Sequence, residues 1–207
     1  MKRWLFAAGT AMVLAGFSGL SLSVAAPVAS SNPKSVKAGT YKVEPHHTQV
    51  TFSVSHLGFT NYSGLFSGVS GSLTLDPARP GMSKLEVAIP VQSVMTTSDK
   101  LTEELKGEQW FDTAKFPNAT FVSTRVTPGA KGTATISGNL TLHGVTKPIS
   151  LHVRFIGAGV NPLDKAFTAG FEATGTIKRS EFGIKQYVPL IGDDVHLRIA
   201  GAFVLQQ

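Results

Sequence analysis

Apolar residues recur at every second position over most of the chain. Val50, Phe52 and Val54 alternate with Thr51, Ser53 and Ser55. Leu85, Val87, Ile89 and Val91 alternate with Glu86, Ala88 and Pro90. The same period runs through Ile149–Phe155, Phe167–Ala173 and Val195–Ile199. A two-residue period places one set of side chains on one face, so each run predicts a strand with one apolar face. Asp76-Pro77, Pro80-Gly81, Pro128-Gly129, His143-Gly144 and Gly192-Asp193 separate the runs and predict turns. Glycines inside strand patterns (Gly68, Gly71, Gly138, Gly170, Gly175, Gly201) predict bends where a sheet curls. Many short strands rich in Gly, Thr and Ser make an all-β barrel or sandwich.

One stretch departs from the period. In Ser98–Asp112, Leu101 and Leu105 stand four residues apart and share a helix face. Ser98 or Asp99 caps the start of this predicted helix and Gly107 ends it.

The N-terminus carries another kind of pattern. Lys2 and Arg3 precede a charge-free run from Trp4 to Leu22, and Ser23-Val24-Ala25 supplies small residues for cleavage. This is the pattern of a secretory signal, residues 1–25, and it predicts a periplasmic protein. Cleavage after Ala26 would place Pro27 at the scissile bond, so the cut is expected after Ala25. Residues 26–39, with Pro27, Pro33 and Gly39, read as a flexible leader. Residues 40–207 are of a size for one domain.

Composition narrows the chemistry. The chain has no Cys, hence no disulfide framework, thiolate metal site or cysteine nucleophile. Its 19 basic and 13 acidic residues give +6, of which Lys2 and Arg3 belong to the signal. The remaining cations are dispersed, which argues against nucleic acid and leaves room for weak contact with a membrane surface. His46, His47, His56, His143, His152 and His196 show no metal-ligand spacing, so no metal is expected. No G-x-S-x-G elbow occurs. Thirteen Phe, two of them (Phe6, Phe17) in the signal, make a strongly apolar interior, which a packed core also explains.

The order of short motifs adds what periodicity does not. Tyr41-Lys42-Val43-Glu44-Pro45-His46-His47-Thr48 is followed by Val50-x-Phe52-x-Val54-x-His56-x-Gly58, Gly64-x-Phe66 and Gly71-x-Leu73. Then come Thr97, Trp110-Phe111-Asp112, Phe116-Pro117-x-Ala119-Thr120-Phe121-x-Ser123 and Gly138–Pro148. Arg179-Ser180-Glu181-Phe182-Gly183-Ile184 and Gly192-Asp193-x-Val195 close the series. From Tyr41 onward the chain resembles the YceI-like family. One stretch departs: Lys100–Leu105 lacks the Asp and His of the family's Arg-Asp-x-His-Leu type segment.

The resemblance implies an extended, lipocalin-like, eight-stranded antiparallel barrel with a short inserted helix. It also implies a polyisoprenoid, isoprenoid quinone or other long apolar lipid held inside, with no cofactor and no catalysis. The apolar phase of each strand then nominates Phe52, Val54, Phe66, Val87, Ile89, Phe121, Leu140, Leu151, Phe155, Phe171, Phe182 and Ile199 as lipid-facing. Leu101, Leu105 and Trp110 are expected to cover the cavity entrance. His47 and Arg179 match family positions and are candidates for a lipid head group. A homodimer is compatible with this reading. Two alternatives carry different expectations: a periplasmic enzyme using a His at the barrel mouth, and an outer-membrane β-barrel. Against the latter, three Tyr and Trp110 cannot build two aromatic girdles.

Overall fold

The computed structural model describes residues 28–206; the predicted signal segment lies outside the described residues. The strands are β1 (Gly39–Val43), β2 (Gln49–His56), β3 (Thr60–Phe66), β4 (Ser70–Leu75), β5 (Lys84–Pro90), β6 (Asn118–Pro128), β7 (Thr133–Leu142), β8 (Val145–Val160), β9 (Phe167–Lys178) and β10 (Ile191–Leu205). The helix α1 spans Asp99–Lys106.

These strands form eight antiparallel staves. β1 and β2 lie end to end along β10: Tyr41–Val43 face Leu205–Phe203, and Val50–Val54 face Ile199–Val195. β4 and β3 lie end to end beside them, β4 on β1 and β3 on β2. From β4 the sheet runs through β5, β6, β7, β8 and β9 to β10, and the β1–β10 pairing closes it. The breaks have local causes. Between β1 and β2, Pro45 has no N–H to give, and Ala202 of β10 instead takes the Glu44 N–H and bonds the Thr48 hydroxyl. Between β3 and β4, Gly68 adopts φ +66°. Bulges between Ser123 and Arg125, opposite Gly138, and between Phe155 and Gly157, opposite Gly170, bend the long strands as the glycine pattern predicts.

The upper end carries the turn 57–59, the loop 179–190 and the segment 91–117. The lower end carries the turns 76–83, 129–132 and 161–166. Residues 28–38, the described part of the leader, run along β8. Ser30 and Ala158 exchange both backbone hydrogen bonds, and Pro33–Ser35 form a short 3-10 turn.

The segment 91–117 fills the upper wall beyond the end of β5. Leu65 and Met95 bridge it to β3. The Ser98 hydroxyl caps α1 by accepting the Leu101 N–H at 3.3 Å, and Gly107 ends it in an extended rather than left-handed conformation. Leu105 is buried beneath the helix.

Inward and outward faces separate by polarity. Phe52, Leu140, Leu151 and Phe155 point in and are buried, while Thr51, Ser53, His152 and Arg154 between them are not. On the outer face Arg154 meets Glu172 at 2.8 Å and Lys178 meets Asp194 at 2.7 Å. A transmembrane barrel carries the opposite arrangement, an apolar band facing lipid. Below, Tyr41 is wholly buried and donates to the Lys37 carbonyl at 2.6 Å. The rings of Phe155, Phe171 and Phe203 stack edge to face at 5.6 and 5.9 Å.

Candidate functional site: an apolar cavity

The upper half of the barrel holds a cavity of about 130 Å³. Strands from opposite sides of the ring wall it. Val50, Phe52 and Val54 come from β2, Phe66 from β3 and Ile89 from β5. Leu140 and Leu142 come from β7, Ile177 from β9, and Ile191, Val195 and Leu197 from β10. Leu105 of α1, Trp110 and Phe111 after it, and Ile184 of the loop before β10 close it. The alternating period explains why: inward positions on neighbouring staves stand level, as Val50–Ile199 and Phe121–Leu140 do in the register.

Phe52, Val54, Phe66, Ile89, Leu105, Trp110 and Leu140 of the predicted lining residues meet at this cavity. Phe121, Leu151 and Phe182 instead pack with Val126 and Ile136 into a closed cluster beside it. Phe155 belongs to the lower core, and Phe171 packs against that core. Val87 and Ile199 lie between the two clusters, half-buried against both. Leu101 is half-buried and packs against the core outside the lining. Val50, Val195 and Leu197 share the apolar phase of their strands and were legible by it. Phe111, Ile184 and Ile191 sit at or beyond strand ends, where no period marks them.

The two head-group candidates part company. His47 projects to solvent at the β1–β2 turn, its Nδ1 2.6 Å from a Glu44 carboxylate oxygen. Burial raises the Glu44 pKa, but the N–H groups of His46 and His47 and the His47 ring outweigh it and hold the carboxyl below its ordinary range. This is a turn clasp on the solvent side, outside the cavity lining. Arg179, by contrast, lines the cavity and is buried. Its Nε donates to the Gly192 carbonyl at 2.9 Å, Nη1 to Ile184 at 3.0 Å and Nη2 to Ile191 at 2.8 Å. The guanidinium lies 5.4 Å from the centre of the Trp110 ring. Burial lowers its pKa and Asp193 opposes the shift; an arginine keeps its charge through such a change. Trp110 in turn donates its indole N–H to Glu104 at 3.3 Å. Among the cavity-lining residues Arg179 is the one ionisable side chain.

The histidines lie elsewhere. His152 and His196 face outward beside Thr135 and Thr176. His143 stands 3.2 Å from the Phe182 carbonyl, with its ring edge to face on Phe116. His56 is exposed at the upper turn.

A closed antiparallel barrel of eight staves, polar outside and enclosing an apolar cavity, defines an all-β protein of lipocalin-like architecture. Residues 41–203 match the YceI-like domain, and the chain belongs to that family. It is 40% identical to a UPF0312 protein of Yersinia enterocolitica over 152 residues, 72% of this chain and 78% of the relative. The crystal structure of the Campylobacter jejuni YceI protein superimposes with a TM-score of 0.66 at 28% identity, covering 74% of this chain and 90% of that one. A polyisoprenoid binding domain from Saccharophagus degradans has a TM-score of 0.60 at 16% identity, covering 82% of this chain and all of that one, and shares the fold.

Proposed function

We propose that this protein binds a long apolar lipid of the isoprenoid or isoprenoid-quinone class in its barrel and carries or stores it in the periplasm. The observation that carries the reading is a cavity lined by apolar side chains apart from one buried cation, inside a barrel whose outer face carries ion pairs. Burial of hydrocarbon contributes roughly 0.8 kcal/mol per CH₂ group, so a long chain is retained without a polar anchor. The Saccharophagus degradans neighbour, described as polyisoprenoid binding, supports the ligand class. The signal-like residues 1–25 support the periplasm. The protein acts by binding, with the lipid as ligand and no further cofactor.

The test is mass spectrometry of an organic-solvent extract of the protein purified from its own host. The expected result is a long isoprenoid-type chain in stoichiometric amount. Extracts without such a lipid, from protein that retains its fold, would overturn the reading.

A further inference from the structure

The upper end carries exposed apolar side chains that the packing does not explain. Phe59 is 83% exposed and Leu190 64%, and Leu57 and Tyr187 are exposed beside them. The four come from two loops that touch. The Leu57 N–H donates to the Leu190 carbonyl at 2.9 Å; within the second loop the Ile191 N–H donates to the Tyr187 carbonyl at 2.8 Å. Leu57 and Tyr187 hold left-handed backbone, φ +54° and +59°. Glycine or asparagine takes that conformation at lower cost than a bulky side chain. The rim is also continuous with the cavity: the Tyr187 ring lies 6.3 Å from the Trp110 ring, and Ile191 is part of the cavity wall.

The side-chain composition of these loops points to what covers them. Residues 55–60 and 183–192 contain Lys185 and His56 and no carboxylate. The carboxylates nearest this stretch are Glu181, exposed at the start of the second loop, Glu104 of α1, which accepts the Trp110 indole N–H, and Asp193 and Asp194, which are held by Ser180 and Lys178. Leucine and aromatic side chains with a lysine at their edge suit the boundary between acyl chains and phosphates.

We propose that Leu57, Phe59, Tyr187 and Leu190 dock the upper end of the barrel on a phospholipid bilayer. The proposal rests on the lipid-carrying reading for its purpose, since an apolar chain would leave or enter the cavity where the rim meets the membrane. A competing surface exists at the lower end, where Leu163 is 90% exposed next to Lys165.

The experiment is flotation of the exported chain with vesicles of phosphatidylethanolamine and phosphatidylglycerol. The protein is expected to float, and the F59E/L190E double variant to lose about tenfold in vesicle affinity, while Leu163→Glu binds as the unaltered protein does. Equal flotation of the double variant, loss confined to Leu163→Glu, or no flotation of the unaltered protein would each overturn the proposal. Both rim side chains are exposed, so their replacement removes little packing. If the double variant melts early, Phe59→Ser alone carries the test. Lipid extracted from the same samples separates the two readings. Protein that floats without a bound lipid keeps the docking surface and loses the carrier reading; protein that holds lipid but does not float does the reverse.

Discussion

At the residue scale Arg179 joins structure to site most directly. Three backbone carbonyls, of Ile184, Ile191 and Gly192, spend their hydrogen bonds on one guanidinium, and those residues form the cavity's closing loop and the start of β10. Replacing Arg179 by Leu leaves one buried and two part-buried carbonyls without this donor, a loss of about 1–3 kcal/mol for a fully buried acceptor and less for the others, which water can reach. Arg179→Leu should therefore unfold at clearly lower denaturant concentration than the unaltered protein. Arg179→Lys, with a point charge in place of a planar fork, should recover only part of that loss. Equal stability of all three proteins in urea titration would show that the carbonyls find other partners. A head-group role is a separate matter, read from lipid retention by the Lys variant. Arg179 was visible in the sequence only through its motif; no periodicity announces a cation in an apolar wall.

At the scale of elements, α1 and the loop before β10 decide whether the cavity is closed. Leu105 is buried in the cavity wall, whereas Leu101, on the same helix face, packs beside it. Leu105→Glu sets a carboxylate against hydrocarbon, so it should lower lipid retention while the far-UV spectrum stays that of a β protein. Unchanged retention would remove α1 from the binding account. The loop is pinned by Asp193, which accepts the Ser180 N–H and hydroxyl at 2.8 Å each. Burial raises the Asp193 pKa, but those bonds with Lys178 and Arg179 outweigh it and hold it below the usual carboxylate range. A depressed pKa stabilises the fold above the ordinary value near 3.9 and loses that contribution as pH falls through the folded-state pKa. Asp193→Asn should thus flatten the fall of melting temperature on acidification below about pH 5; parallel curves for the two proteins would contradict this. The strands were legible from the two-residue period and α1 from its Leu pair and Ser98 cap. The irregular segments 91–117 and 179–190 were not, because their geometry is set by tertiary contacts such as Leu65–Met95 and Arg179–Ile184 rather than by local pattern.

At the scale of the whole molecule the cavity and its proposed ligand differ in size. A space of about 130 Å³ takes on the order of ten water-sized groups, far less than a long isoprenoid chain. Binding such a chain requires the interior to open along the barrel axis. The aromatic side chains show where. Phe52, Phe66 and Phe111 line the cavity as a ring cluster, with centroids 5.5, 6.5 and 5.3 Å apart. Phe155, Phe171 and Phe203 form a second cluster in the same apolar interior. The ring contacts given up when such a cluster parts are worth about 0.5–1.5 kcal/mol each, less than the burial of a long hydrocarbon returns. Phe66→Ala should then enlarge a space the ligand already uses. In lipid-loaded protein its cost should fall below the roughly 3–5 kcal/mol of a closed-core Phe→Ala change, and it should shift the recovered lipids toward bulkier or longer chains. Phe171→Asp places an unpaired charge farther along the same path and should abolish retention of long chains. Parallel urea titrations of loaded and delipidated protein, with mass spectrometry of the extract, measure both effects. A full closed-core penalty for Phe66→Ala in the loaded protein, with the lipid profile unchanged in both variants, would mean that the barrel interior does not open along this route.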